Sequence, residues 1–177
     1  MPARINALPE LYRSGHLNTT SEIFKGIVNN QLLQRVAYYY QNQSMSYASL
    51  IAETKKAAAA FQSIGMAAED RVLIRMSDSP QFVVTLLAII GIGAIAVPTF
   101  TQLKSDELDY RVKDSGSRFI IVDSDLLADV EKLLGEQSPL EHVIISDNYK
   151  GTEHHSLKSI IKEMAPLESW EDTNCDD

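Results

Sequence analysis

The longest uncharged run of the chain lies between Asp78 and Lys104, where 25 consecutive residues carry no charge. Such a run can be a membrane span, a dinucleotide-binding glycine loop, or a buried helix that leads into a buried strand. A membrane span needs roughly 20 mostly apolar residues. The apolar part, Phe82–Val97, falls short of that and contains Thr85 and two glycines. No Lys/Arg cluster or aromatic belt flanks it. The sequence therefore predicts no membrane span.

The glycines of this run match a nucleotide-binding motif in letters only. Residues Gly91–Ala96 read G-x-G-x-x-A, but that motif works only with a strand before the glycines and a helix after them. Here the order is reversed, since a helical pattern precedes Gly91 and the strand-like Ala94–Val97 follows it, ended by Pro98. We therefore predict that Gly91 and Gly93 are helix C-cap and turn glycines, which tolerate positive φ.

The third interpretation, a helix feeding a strand, fits the local signals. Ser79 and Pro80 are a cap residue and a proline at the first helical position. The apolar residues that follow cover nearly the whole helix circumference, which is typical of a buried helix. They are Phe82, Val83, Leu86, Leu87, Ile89 and Ile90.

The rest of the chain alternates helices and strands in the same way. Thr19 and Glu22 have the spacing of a capping box at the start of a first helix, and residues 36–47 are predicted to form a β-hairpin. Ser105 is predicted to cap one later helix and Gly116 to end it. Strands are predicted at 71–76, 94–97, 119–122 and 142–145, and the later helices at 47–64, 79–91, 106–115, 125–134 and 157–164. This alternation predicts an α/β fold: a mostly parallel sheet covered by helices, with right-handed crossovers and an N-terminal β-hairpin.

Length and charge limit the domain organisation and the partners. The 177 residues suffice for about one domain, which we place at residues 1–167. Residues 168–177, which hold five acids and no base, are predicted to be a solvated acidic linker. The net charge of −8 argues against nucleic acid as a partner, because phosphate binding needs clustered Lys and Arg. The lone Cys175 and the absence of a signal-peptide pattern favour a cytoplasmic protein.

The sequence offers few candidates for chemistry. His154 and His155 are adjacent, and no carboxylate or cysteine stands near them at a typical ligand spacing, so we assign both to a polar loop. His16 is isolated, and His142 opens a predicted strand, where a structural role is expected. The chain contains neither a G-x-S-x-G nucleophile motif nor a P-loop. We therefore predict no catalytic, cofactor-binding or metal-binding residue.

Two acidic pairs also have structural explanations. Asp106 and Glu107 are expected to supply negative charge to the first turn of a helix. Asp123 and Asp125 are expected to cap a strand-to-helix junction. Asp123 also follows a predicted strand, at the edge where parallel α/β sheets bind ligands. Because nothing nearby completes a site, the chain is predicted to be a scaffold.

Five motifs in order resemble the adenylate-forming enzymes, the family of acyl-CoA synthetases, luciferases and peptide-synthetase adenylation domains. Met45–Leu50 resembles the family's Leu-Thr-Tyr-x-Glu-Leu motif. Gly65–Ile74 resembles its Leu-Gly and Gly-Asp-Arg-Val pair, and Ser77–Phe82 resembles Asn-Ser-Pro-Glu-Phe. Ile90–Pro98 resembles Leu-Lys-Ala-Gly-Ala-x-x-Val-Pro, and Glu107–Gly116 resembles Glu-Leu-x-Tyr-x-Leu-x-Asp-Ser-Gly. Each motif is weak alone, and their shared order and spacing make the resemblance specific.

Several positions depart from the family pattern. Gly91 and Ile92 replace a lysine and an alanine, Gln81 replaces a glutamate, and Ser49 replaces another. These are scaffold positions, so they do not contradict the resemblance. Residues 18–50 further resemble the benzoate-CoA ligase branch of the family.

The resemblance implies an activity for a longer protein. Family members activate a carboxylate with Mg-ATP to an acyl-adenylate and pass the acyl group to CoA. The chain resembles the N-terminal part of the large domain only, and the phosphate loop, ATP contacts, acyl pocket and lysine domain are expected beyond Asp177. We therefore expect the full-length protein to be an acid–CoA ligase for an aryl or acyl acid that uses ATP, Mg²⁺ and CoA. This chain alone is expected to be inactive and to bind none of them tightly.

Two other functions remain open at this point. One is a free-standing α/β nucleotide-binding module, which predicts tight ATP or NAD binding. The other is a non-catalytic interaction module that pairs with the remainder of the ligase chain. That alternative predicts self-association through an exposed apolar face.

Overall fold

The protein folds into a β-hairpin followed by a parallel sheet with helices on both faces. The computed structural model describes residues 15, 17–147 and 149–173. In chain order its elements are α1 (Thr19–Asn29), β1 (Val36–Tyr40), β2 (Gln43–Ser46), α2 (Tyr47–Ser63), β3 (Arg71–Arg75), α3 (Pro80–Gly91), β4 (Ile95–Pro98), α4 (Ser105–Ser115), β5 (Phe119–Val122), a 3₁₀ turn (Ser124–Leu126), α5 (Leu127–Glu131), β6 (His142–Ile145), β7 (His155–Ser156) and α6 (Leu157–Glu163).

The sheet has five strands in the order β4-β3-β5-β6-β7, and all of its pairs are parallel. The chain enters at β3, moves outward to β4, and then returns across β3 to β5. The strand order therefore reverses between β3 and β5. In open α/β sheets ligands bind at such a switch point, outside the carboxyl ends of the strands.

Alternating strand residues build one hydrophobic core on each face of the sheet. Val72 and Ile74 point toward α2, α3 and α6, whereas Leu73 between them points toward α4 and α5. The same alternation continues in β5 and β6. Because both faces are covered, strands such as Phe119–Val122 are apolar at every position, as parallel strands usually are.

The predicted fold class is confirmed, and several predicted boundaries are too. Strands at 119–122 and 142–145 lie where the sequence places them. Ser79 caps α3, with its hydroxyl oxygen accepting from the Phe82 amide, and Pro80 is its first residue. Gly116 ends α4 in the left-handed conformation with φ +62°. The hairpin has the predicted position, with β1 antiparallel to β2.

Other local predictions are wrong. The N-cap of α1 is Asn18, whose side chain accepts from the Ser21 amide, so Thr19 and Glu22 form no capping box. Lys104, rather than Ser105, is the N-cap of α4. The helix expected at 125–134 is a 3₁₀ turn followed by the short α5. The sequence also missed β7, which contains His155, a residue assigned to a loop.

The segment 167–173, called here the C-terminal strap, packs across α1, α2 and the end of α3. The Leu167 amide donates to the Lys55 carbonyl at 3.1 Å, and the Glu171 amide donates to the Gly91 carbonyl at 3.0 Å. The Trp170 ring lies 5.7 Å from the Phe24 ring. Glu168, Glu171 and Asp172 are exposed, as expected of an acidic linker, but the tryptophan anchors the segment on the domain.

This strap explains Gly91, which is not the C-cap glycine that the sequence predicted. Gly91 is the last helical residue of α3 and its φ is not positive, whereas Gly93 has φ +76° as a turn glycine. A Cβ added at Gly91 would lie 2.5 Å from two ring carbons of Trp170. Glycine at this position lets the ring pack directly on the helix backbone.

The hairpin contains a tyrosine with a perturbed pKa. The Tyr38 hydroxyl donates to Met45 Sδ at 2.7 Å. Burial, with a smaller contribution from the nearby charge of Glu53, raises the pKa of Tyr38 to about 12. We predict that phenolate absorbance, recorded directly after stopped-flow pH jumps, shows one tyrosine that ionises near this pH, and that Tyr38→Phe removes this part of the absorbance increase. Tyr39→Phe is the control, because Tyr39 is 79% exposed, and it should leave the absorbance increase near pH 12 unchanged.

The raised pKa of Tyr38 also predicts how the stability of the folded chain depends on pH. In the unfolded chain tyrosine ionises near pH 10, so above that pH the unfolded state releases a proton that folded Tyr38 retains. The free energy of unfolding should therefore fall between about pH 10 and pH 12, less steeply in Tyr38→Phe. Equal slopes for the two proteins would contradict the assignment.

Candidate functional site

The carboxyl edge of the sheet at the switch point is organised by Asp123, which follows β5. One of its carboxylate oxygens accepts from the Ser77 amide at 2.7 Å, and the other accepts from the Ser146 hydroxyl. Asp123 thus joins the loop after β3 to the end of β6 across its own strand. Asp123 occupies the N-cap position of the 3₁₀ turn, as predicted, but its side chain makes no cap bond there.

A second carboxylate continues this arrangement. Asp147 accepts from the Ser124 amide at 3.1 Å and from the Ser124 hydroxyl at 2.9 Å. It joins the loop after β5 to the loop after β6. Both aspartates therefore satisfy backbone and hydroxyl donors at this edge, which fixes the loops relative to one another.

A cleft of about 380 Å³ lies at the same edge, between the loops that follow β3 and β4. Residues 76–78 form one wall and residues 99–102 form the other. Thr99 donates its amide, at 2.9 Å, and its hydroxyl, at 3.2 Å, to the Ile74 carbonyl. Phe100 beside it is 72% exposed. The cleft offers hydroxyl, amide and aromatic surface to a ligand.

A buried arginine holds the second wall of the cleft. Arg75, at the end of β3, is 1% exposed. Its Nη2 donates to the carbonyls of Thr101 and Leu103 at 3.0 Å each and pairs with Asp129 at 3.3 Å. The sequence analysis missed this residue. The available signal was a charge that directly follows the apolar Val72–Ile74 in β3, whose other arginine, Arg71, is exposed at the start of the strand.

The residues at this edge do not by themselves fit ATP or Mg²⁺. Among the described residues that line the cleft, Asp78 alone is charged, and its negative charge repels phosphate. The carboxylate oxygens of Asp123 and Asp147 already accept hydrogen bonds from protein donors. Tight binding of a nucleotide triphosphate relies on cationic groups, and the described lining of the cleft contains no Lys or Arg.

The three histidines that the structure describes lie around β6 and β7, at the other end of the sheet from β4. His142 opens β6, as predicted, and stacks on Phe119 at 4.7 Å between ring centroids. His155 lies 5.6 Å from His142, and burial lowers its pKa, with smaller contributions from His142 and His154. His154 contacts Glu131, which lies 23 positions earlier in the chain. Local ligand spacing in the sequence gives no sign of this contact.

The remaining candidates have structural roles or lie outside the described residues. Glu107 accepts from the Lys104 amide at 3.0 Å in the first turn of α4, where Asp106 also lies, as predicted. His16 and Cys175 are outside the described residues. Among the helices that the structure describes, none has both the length and the apolar character that crossing a membrane requires.

Comparison with known proteins gives a consistent result. The family model "AMP-binding enzyme" matches residues 26–173. A 3-hydroxybenzoate–CoA/4-hydroxybenzoate–CoA ligase of Thauera aromatica is 29% identical over 129 residues, which are 73% of this chain and 25% of that protein. A long-chain-fatty-acid–CoA ligase of Salmonella typhimurium is 28% identical over 174 residues, or 94% of this chain and 29% of that protein.

The fold is also found among solved structures. An anthranilate CoA ligase in complex with anthranoyl-AMP superposes with a TM-score of 0.84 at 21% identity, covering 96% of this chain and 31% of that one. The chain spans about a quarter of the length of the curated relatives it matches.

Proposed function

The chain belongs to the AMP-binding enzyme family, and from that premise we propose that it forms the N-terminal part of the large domain of an ATP-dependent acid–CoA ligase. The observation that carries the proposal is the family match over residues 26–173, in a chain whose curated relatives include ligases of hydroxybenzoates and of long-chain fatty acids. The family match does not favour the alternative of a non-catalytic interaction or nucleotide-binding module.

The proposed reaction has two steps that the whole protein performs. The acid's carboxylate first attacks the α-phosphate of ATP, which releases pyrophosphate and leaves an acyl-adenylate. The CoA thiolate then attacks the acyl carbon and AMP departs. Adenylation is needed because a carboxylate oxygen is a poor leaving group and AMP is a good one. The acid belongs to the aryl or acyl class that these relatives share.

The part of this chain in that protein is to build one wall of the site. Asp123 and Asp147 fix the loops at the carboxyl edge, and Arg75 fixes residues 101–103 beside the cleft. Since the described lining of the cleft contains no Lys or Arg, we expect the phosphate-binding groups to lie in the remainder of the ligase chain. Large aromatic side chains such as Phe100 and Tyr39 are exposed. We therefore still predict that the isolated chain self-associates.

The direct test is ATP–pyrophosphate exchange, which reports the first step alone. We expect the 177-residue chain to show no exchange above the enzyme-free background with benzoate, coumarate or a fatty acid. An intact acid–CoA ligase measured in parallel is the positive control. Exchange by this chain that depends on the acid would contradict the proposed division of labour.

A sequence determination separates the proposal from its alternative. Reading the coding sequence past the Asp177 codon should reveal a strand followed by a Ser/Thr/Gly-rich phosphate loop, and a polypeptide that includes it should exchange pyrophosphate. A stop codon at that point would overturn the assignment to a ligase large domain and would favour the interaction module.

A further inference from the structure

Three side chains of types that can ligate a metal converge where the end of α5 meets the β6–β7 connection. Glu131 is the last residue of α5, and Glu153 and His154 end the connection between β6 and β7. One donor atom from each of the three lies within 4.8 Å of the other two. We call this group the Glu–Glu–His cluster. The fold assembles it from two segments, since Glu131 and His154 are 23 residues apart in sequence.

The imidazole of the cluster is held in place by its surroundings. The His154 side chain is only 12% exposed, and its Nε2 lies 3.3 Å from a Glu131 carboxylate oxygen. The Tyr149 ring packs against the imidazole at 6.0 Å between centroids. The next two residues, His155 and Ser156, pair with β6 and fix the backbone that follows. His154 therefore directly precedes backbone that is anchored in the sheet, and Glu153 is its neighbour in the connection.

The opposite side of the cluster is also anchored. Val130, the neighbour of Glu131, is fully buried in the core under α4 and α5. The adjacent cation, Lys132, pairs with Asp129 at 3.0 Å, which directs it toward another carboxylate. The cluster thus combines two carboxylates with one imidazole at the junction of α5 and the β6–β7 connection.

We propose that the Glu–Glu–His cluster binds a divalent transition-metal ion, Zn²⁺ being the best match. Imidazole nitrogen and carboxylate oxygen are both zinc ligands, with bonds of roughly 2.0–2.2 Å. A neutral imidazole and two carboxylates balance the charge of the ion. Three protein ligands leave a fourth position for water. The nitrogen in the set favours Zn²⁺ over Mg²⁺ or Ca²⁺, which prefer oxygen ligands.

The bound ion has a structural consequence that is independent of the ligase reaction. It ties α5 to the connection between β6 and β7, the part of the sheet with the shortest strand. Because the unfolded chain does not present the three donors together, the ion stabilises the folded state by mass action. The site goes beyond the proposed function and does not depend on it.

The test is a Zn²⁺ titration of the purified chain by calorimetry, paralleled by Co²⁺ substitution and visible absorbance. We expect one site, with binding weakened about 10-fold or more in Glu131→Gln, Glu153→Gln and His154→Ala. Glu136→Gln, which removes an exposed carboxylate near α5 that is not among the three donors, is the matched control and should bind as the original chain does. Co²⁺ should give the visible bands of a low-coordinate site.

Two results would overturn the proposal. One is the absence of Zn²⁺ binding at 100-fold excess of metal over protein. The other is unchanged binding in the three variants, which would place the ion on residues such as His16 or Cys175. Circular dichroism of each variant verifies folding. Glu131→Gln keeps the shape of a side chain that is 46% exposed, so it provides a readout even if His154→Ala does not fold.

Discussion

Gly91→Ala is expected to destabilise the folded chain by about 1–3 kcal/mol, the usual cost of overpacking. Alanine is the better helix former, but its Cβ would lie 2.5 Å from Cε3 and Cζ3 of Trp170. The ring then has to leave its place against Phe24 and Lys55. Urea unfolding measures the cost, and the emission of the single tryptophan reports whether the ring moves into water.

A matched glycine and a second-site change make this prediction specific. Gly26 also lies in a helix, and a Cβ there meets no atom within 4 Å. Gly26→Ala should therefore be neutral or stabilising by up to about 1 kcal/mol. In a Trp170→Ala background the obstruction is gone, so Gly91→Ala should no longer destabilise. Additive effects of the two substitutions would contradict a direct contact between them.

The strap shows why this contact escapes sequence analysis. Gly91 and Trp170 are far apart in the chain, and each has a plausible local explanation: a glycine after an apolar helix, and a tryptophan in an acidic tail. Local patterns report helix and strand periodicity, which is why the strands at 119–122 and 142–145 were predicted to the residue. They carry no information on which distant side chain fills the space above a glycine.

The same limit applies to the polar residues. The Arg75–Asp129 pair joins residues 54 apart, and the His154–Glu131 contact joins residues 23 apart. Asp123 was singled out correctly as the residue after a buried strand, but its partners Ser77 and Ser146 come from other strand ends. The group formed by Asp123, Ser77 and Ser146 can be recognised only once the strand order is known, because that order brings the ends of β3, β5 and β6 side by side.

Caps were misassigned for a related reason. Several polar residues in a row can each accept from a helix amide, and tertiary contacts decide among them. Asn18 caps α1 while its amide nitrogen also donates to the Gly91 carbonyl at 3.1 Å. This tertiary bond to the end of α3 favours Asn18 as the N-cap, and Thr19 becomes the first residue of α1.

Arg75→Ala is expected to cost about 3 kcal/mol or more of the free energy of unfolding. The substitution empties a fully buried site and removes the donor of two loop carbonyls and of the Asp129 pair. Leaving the carbonyls of Thr101 and Leu103 without their donor costs about 1–3 kcal/mol each, and the emptied volume adds to that cost. The Asp129 side chain is about one-third exposed and adds little, because water and Lys132 still compensate its charge. Chemical denaturation measures the change.

Arg75→Met separates the hydrogen bonds from the volume. Methionine fills much of the space but leaves the carbonyls of Thr101 and Leu103 without their donor, which costs about 1–3 kcal/mol. The loss should be concentrated in the wall of the cleft, so amide hydrogen exchange at residues 99–104 should accelerate more than exchange in β5. Lys132→Met is the control, because it removes the other, exposed partner of Asp129, and an ion pair in water contributes little to stability. Unchanged exchange at residues 99–104 in Arg75→Met would show that packing alone, and not the guanidinium, holds this wall in place.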